Sequence, residues 1–271
     1  MRLPDYHTHS QRCGHASGRP LEYVRAAQDK RLSGIGIADH LPLLPRSDPE
    51  LTMDVAALPG YVAEVQALKS DFPGYVLLGV EADYRPDTVS AVRDLLDAYP
   101  FDYVIGSVHF LDDWGFDDPR FISEYAERDI DEVWVQYLQL AGDAAESGLF
   151  TIMGHLDLVK KFGYRPTRTL ERELTRLVDR IARAGVLVEI NTAGLHKPIA
   201  EAYPDPDILR RLHDAGVAIT FGSDAHKPEH VGRDFPYAAA LARDAGYAEY
   251  ASLEANPAGG QATVRSNPLP S

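Results

Sequence analysis

The sequence predicts a parallel α/β fold, a closed barrel of seven strands each followed by a helix. Three observations lead there. Short apolar runs alternate with longer amphipathic stretches along nearly the whole chain. Right-handed crossovers then favour one parallel sheet over separate hairpins. Reactive side chains collect at the C-terminal ends of several different runs, as in a closed barrel; an open sheet gathers them at one crevice.

The first run, 2–7, ends in "DYHTH", which carries His7 and His9, and the same stretch continues to Cys13 and His15. A helical pattern over 20–31 leads to the run 34–40, which closes on His40. The helix expected at 57–70 precedes the run 76–83 with Glu81 near its end. Asp87-Thr88 is suited to open the next helix, 88–98, before the run 103–109 that ends in His109. The pattern at 131–147 stops at Gly148, and the run 151–156 delivers His155. Thr169 is the expected cap of a helix over 169–184 ended by Gly185. The run 186–192, a helix at 205–215 ended by Gly216, the run 218–224 and a helix at 235–245 ended by Gly246 complete the alternation. The connections 41–57 and 111–130 are long enough to be lids or binding loops. From about residue 255 a Pro-, Gly- and Ser-rich tail is expected to be irregular.

A chain of 271 residues, 45% hydrophobic, suits one barrel-sized domain over 1–271. A formal charge of −14 argues against nucleic acid as a partner, because no excess cation is available to release counterions. No run approaches the ~18 apolar residues of a membrane span, and "MRLPDYH" has no apolar leader core, so no membrane partner is expected. Cys13 is the only cysteine, which fits a reducing cytoplasm. Oligomeric state is not written in the sequence.

Residues two apart on a strand share a face. One face carries Asp5, His7 and His9; Gly36, Ala38 and His40; Gly79 and Glu81; Ser107 and His109; Met153 and His155; Gly222, Asp224 and His226. The other carries Ile35, Ile37, Leu78, Val80, Val104, Val108, Ile219 and Phe221, which would pack on the helices. Small residues on the polar face fit a narrow interior. His213, inside a helical pattern, and His230, in a loop, lie outside this scheme. The candidate ligands His7, His9, His15, His40, Glu81, His109, His155, Asp224 and His226 are too rich in nitrogen for Mg²⁺ or Ca²⁺ alone and suit Zn²⁺, Mn²⁺ or Fe²⁺. Nine ligands approach what three divalent ions need, with Glu81 able to bridge two. Close-set ions of this kind clamp a phosphoryl group for in-line displacement.

HxH after the first strand, the His six residues on, "ADH", "GVE", "GSVH", "GHLD" and "GSDAH" resemble, in order, the polymerase and histidinol phosphatase (PHP) family. "EINTAG" followed by "YPDPDIL" looks like its histidinol-phosphate phosphatase branch. The resemblance implies a distorted seven-stranded TIM-like (β/α)7 barrel with a trinuclear metal site. It implies one ion held by His7, His9, Glu81 and Asp224, a second by Glu81, His109 and His155, and a third by His15, His40 and His226. His7, His9, Glu81, Asp224 and His226 would be the catalytic set. The implied activity is hydrolysis of L-histidinol phosphate, a small phosphorylated substrate, to L-histidinol and phosphate in histidine biosynthesis.

Related phosphatases commonly read "NTAGLR" where this chain reads "NTAGLHK". His196 or Lys197 would then replace a bidentate guanidinium by a single-point phosphate contact. Arg165 and Arg233 are the other phosphate-binding candidates. Asp5 and Asp157 lie within two residues of ligands and are expected to orient imidazoles. Glu189 and Asn191 share a face of the sixth strand and either recognise the substrate's ammonium or imidazole or fill a polar layer. Two other functions stand beside this one: a PHP phosphoesterase acting on a nucleotide, phosphotyrosine or phosphodiester, and a metal-binding scaffold without turnover.

Overall fold

The computed structural model describes residues 2–45, 47–256 and 259–270. In chain order its elements are α1 (Pro20–Asp29), β1 (Ile35–Ile37), α2 (Leu58–Asp71), β2 (Val76–Leu78), β3 (Glu81–Asp83), α3 (Val89–Asp97), β4 (Ile105–Ser107), β5 (Phe110–Leu111), β6 (Trp114–Gly115) and α4 (Ile130–Glu146). There follow β7 (Ile152–Met153), α5 (Glu171–Ala184), β8 (Leu187–Asn191), α6 (Pro206–Asp214), β9 (Ile219–Gly222), α7 (Phe235–Asp244), β10 (Glu249–Glu254) and β11 (Thr263–Pro268).

Strands β3, β4, β7, β8 and β9 pair in parallel in that order, and β1 pairs in parallel with β2. Single bridges close the ring. His40 pairs with Glu81, Asp5 with Ile35, and Thr8 with Ala225, so the N-terminal segment joins β9 back to β1. The expected first strand is therefore reduced to isolated bridges, because it leans across this seam and meets each neighbour only briefly. The expected strand 76–83 is broken at Gly79–Val80. There the Tyr103 ring crosses the interior so closely that a Cβ on Gly36 or Gly79 would overlap it.

The interior below the site is an apolar plug of Tyr6, Ala38, Leu77, Tyr103, Ile105, Ile152 and Leu187, together with Ala251 and Leu253 of β10. Ile35, Ile37, Leu78, Val80, Val104, Val108, Ile219 and Phe221 face the helices, as the alternation predicts. Met153 departs from it and joins the outer core, while His155 takes φ of 20° and turns back inward.

The C-terminal tail is a correction. Residues Thr263–Pro268 form a strand antiparallel to β10, and β10 seals the bottom of the barrel. The Leu253 amide donates to the Tyr6 hydroxyl at 2.8 Å, and Ala262 N donates to Asp102 O at 2.7 Å. Pro, Gly and Ser content of the tail concealed the strand Thr263–Pro268.

Helix ends follow the sequence in part. Gly148, Gly185, Gly216 and Gly246 all have φ between 70° and 106°, left-handed as a helix end requires. Thr169 is not a cap: α5 begins at Glu171 after Leu170, with Glu171 and Glu173 in its first turn to favour the helix dipole. Thr88 precedes α3 without a side-chain capping bond. Among the described residues no helix is long and apolar enough to cross a membrane.

Candidate metal centre

At the C-terminal mouth of the barrel, five imidazoles converge on Glu81. Its two oxygens lie 3.3 Å from His7 Nε2, 3.3 Å from His9 Nε2, 3.0 Å from His40 Nδ1, 3.6 Å from His109 Nε2 and 3.0 Å from His155 Nε2. Asp224 Oδ1 stands 3.3 Å from His9 Nε2 and 3.7 Å from His7 Nε2. His15 joins from the loop after the first segment, its Nε2 2.9 Å from His226 Nε2. The set therefore gathers all nine residues singled out in the sequence. Asp224 has φ of 51°, a left-handed conformation that aspartate tolerates better than most residues and that turns its carboxylate into the centre.

The chemistry of these donors fits divalent cations. His7 Nε2, His9 Nε2 and Glu81 Oε2 are buried and lack any hydrogen-bond partner. Leaving such atoms unpaired is costly, and a cation is the group that satisfies all three together. Ligand atoms within 4.8 Å of one another form the triplets His7–His9–Asp224, His7–Glu81–His155, His40–Glu81–His109 and His9–His40–His226.

Most of the imidazoles are held by their far nitrogen, which aims the near one inward. His7 Nδ1 donates to Glu189 at 2.8 Å, His109 Nδ1 to Asp83 at 2.9 Å, and His15 Nδ1 to Glu50 O at 3.0 Å. His226 Nδ1 donates to Asp224 O at 2.9 Å. Cys13 Sγ sits 3.6 Å from His9 Nδ1, on the side of that ring away from the centre, accepts from His40 N and donates to Asp39. It is a support for two ligands.

Glu189 lies against His7 at 2.8 Å. It is buried within the barrel, where it also accepts from His155 N and from the Asn191 amide, both at 3.1 Å. Gly222 makes room for it, since a Cβ there would overlap Glu189 Oε1. Replacing Glu189 by glutamine keeps the shape and removes the charge opposite His7. Metal retention under chelator competition should fall about 10- to 100-fold; unchanged retention would show that the contact only fills space.

Electrostatics separate the imidazoles. Burial opposes the charged form of His7, but Glu189, Glu81 and Asp224 outweigh it and hold its pKa well above the ordinary value. Burial likewise opposes charge on His109, and Asp83 raises it to about 10. Burial, then His40 and His226, push His9 well below the ordinary range, and burial takes His226 down to about 4. Glu81 is held well below the carboxylate range: burial works against this, and His40, His7 and His155 overcome it. In the metal-free protein these carboxylates favour the protonated forms of His7 and His109, whose Nε2 atoms face Glu81. Zn²⁺ binding at pH 7 should release protons, and affinity should rise with pH. Calorimetry in buffers of different ionisation enthalpy measures this, and a buffer-independent heat would contradict it.

The PHP domain profile matches residues 5–193. The chain belongs to the PHP family. A relative from Deinococcus radiodurans named "Probable histidinol-phosphatase" is 45% identical over 249 residues, 90% of this chain and 94% of the relative. A histidinol-phosphatase from Lactococcus lactis is 26% identical over 263 residues, 93% of this chain and 95% of the relative. A crystal structure of the Lactococcus lactis histidinol phosphate phosphatase with Zn, L-histidinol and phosphate superposes with a TM-score of 0.78 at 26% identity, covering 93% of this chain and 97% of that one.

Above the metal ligands this PHP barrel opens into a cavity of about 1070 Å³. Its lining is acidic at Asp48, Glu50, Asp113, Asp117 and Asp118. The lining is basic at His196, Lys197, Lys227, His230 and Arg233. His230 thus stands at the rim, where the loop assignment alone did not place it. Lys161, which the sequence did not single out, also lines the cavity and pairs with Asp117 at 3.0 Å.

Three expected contacts are corrected. Arg165 does not line the cavity; Glu201 and Asp205 engage its guanidinium on the outside. Asp5 orients no imidazole: its buried carboxylate accepts from Ser223 N and Oγ and from Gly232 N. Asp157 faces away from the ligands, pairing with buried Lys160 at 2.9 Å and accepting from Asp205 N. Arg165 and Asp5 are drawn to partners far away in sequence, whereas Asp157 pairs with Lys160 only three residues on.

Proposed function

We propose that the protein is a metal-dependent phosphomonoesterase that hydrolyses L-histidinol phosphate to L-histidinol and phosphate, in histidine biosynthesis and in a reducing cytoplasm. The observation that carries this reading is the clustering of nine candidate ligands beside a cavity whose lining includes Lys161, Lys197, Lys227 and Arg233, in a PHP chain whose relatives bear the names given above. We assign three divalent ions, Zn²⁺, Mn²⁺ or Fe²⁺, to His7, His9, Glu81 and Asp224; to Glu81, His109 and His155; and to His15, His40 and His226. The whole chain 1–271 is read as one catalytic unit.

When bound, such ions polarise phosphoryl oxygens, stabilise the leaving alkoxide and make a water acidic enough to attack at neutral pH. The chain's own part is to hold and orient. Glu81 draws five imidazoles around one point, and Glu189 and Asp83 fix His7 and His109 so that their Nε2 atoms face it. Lys197, Arg233 and Lys161 bring positive charge to the equatorial oxygens from the cavity walls. Arg120 ties the two long loops together through Glu50 at 2.5 Å and Asp48 at 3.3 Å, and Asp118 of its own loop holds it at 2.6 Å. These loops serve as the lid that limits water around the reacting group. In the reaction a water oxygen bonds to phosphorus, the bond from phosphorus to the alcohol oxygen breaks, and the water's proton ends on that alcohol.

Phosphate release from the metal-loaded protein over a panel of esters tests the reading. Histidinol phosphate should exceed a nucleotide, a phosphotyrosyl peptide and an aryl phosphodiester in kcat/KM by about 100-fold or more. Preference for any of the others would replace the substrate assignment, and absence of turnover on all would favour a scaffold.

A further inference from the structure

Two guanidinium groups line the cavity among the described residues, Arg120 and Arg233, and they differ in how they are held. Arg120 is ringed by Asp48, Glu50 and Asp118. Arg233 is braced by an imidazole. Its Nη2 donates to His196 Nδ1 at 2.7 Å, and His196 Nε2 lies 2.6 Å from Asp234 Oδ2. Arginine has no lone pair to offer, so His196 Nδ1 is the acceptor and the ring proton sits on Nε2, donated to Asp234. His196 is thus a strut between a guanidinium and a carboxylate.

The main chain beneath this strut is pinned as well. Gly232 N donates to the fully buried Asp5 carboxylate at 2.8 Å, Thr192 Oγ1 donates to Arg233 O at 2.8 Å, and Arg233 N donates to His230 O at 2.9 Å. Asp234 follows with φ of 59°, which turns its carboxylate back toward His196. Among the described residues nothing bonds Arg233 Nη1, and Asp234 is no nearer to its Nε than 3.6 Å. One side of the planar fork is therefore braced and Nη1 is left open, in a cavity whose lining also includes His196, Asp224 and His226.

We propose that Arg233 is the guanidinium that receives the phosphoryl group, and that His196 acts through it, as a positioning residue and not as a phosphate ligand. This rests on the phosphomonoesterase reading above. A phosphate oxygen meeting the open edge gains charge-assisted hydrogen bonds without having to order a loose side chain. Asp5, at the far end of the chain segment, contributes by holding the loop on which Arg233 sits.

The test is binding of inorganic phosphate to the metal-loaded protein by calorimetry, with phosphate inhibition of an aryl monoester as a second readout. Arg233→Ala should weaken phosphate about 10- to 100-fold with metal content unchanged. His196→Ala should weaken it by a smaller factor, about 5-fold, and the double variant should bind no worse than Arg233→Ala. His196→Gln, whose Oε1 can accept from Nη2, should recover most of the loss. Additive losses in the double variant would mean that His196 touches phosphate itself and would overturn the positioning role. Unchanged phosphate affinity in Arg233→Ala would overturn the proposal as a whole. Because inorganic phosphate is the probe, a wild-type protein that binds it yet prefers another monoester would overturn only the histidinol phosphate assignment. A wild-type protein that binds no phosphate would overturn both.

Discussion

Replacing Glu81 by glutamine is expected to lower turnover of histidinol phosphate by about 1000-fold or more, while leaving a folded protein. The substitution keeps the side chain's shape and removes the one negative charge that five imidazoles share at 3.0–3.6 Å. Its amide would also point an N–H at some of them, competing with a cation for imidazole lone pairs and repelling any protonated nitrogen. Loss of bound metal should accompany the loss of rate, read on one sample by elemental analysis and steady-state kinetics. Circular dichroism controls for folding. A variant that keeps a full complement of metal and more than a tenth of the rate would remove Glu81 from the centre of the mechanism.

The second large effect concerns stability. Leu253→Ala is expected to cost about 2–5 kcal/mol, and truncation before Glu249 should leave little folded protein under conditions where the full chain is stable. Leu253 and Ala251 complete the apolar plug against Tyr6, Leu77, Tyr103, Ile105, Ile152 and Leu187. Without β10 the floor of the barrel faces water, and the Tyr6 hydroxyl loses both its bonds to Leu253. Urea unfolding measures the first, and soluble yield with circular dichroism measures the second. A truncated chain of undiminished stability would mean that the hairpin merely lies against the barrel.

Both predictions rest on features that differ in how visible they were in the sequence. Glu81 was legible because a strand's end is marked locally: an apolar run stops, and a lone carboxylate follows it on the inward-facing parity. The same parity identified His40, His109 and the pair Asp224 and His226. It failed at Met153, where the backbone turns before His155 and period two no longer holds. β11 was hidden for another reason. Its residues are mostly exposed, so "TVRSNP" carries no apolar alternation, and only pairing with β10 makes it a strand.

By itself the sequence determined the candidate ligand residues, their order along the barrel and the family, because motif spacing and strand periodicity are properties of neighbouring residues. Which nitrogen of each imidazole faces the centre was decided only by tertiary structure. So were the roles of Glu189, Asp5 and His196. His7 meets Glu189 across 182 positions, Asp5 meets Ser223 across 218, and Arg233 meets His196 across 37. Such contacts leave no periodic trace, since each partner satisfies its own strand or loop locally and the bond between them exists only once the ring has closed.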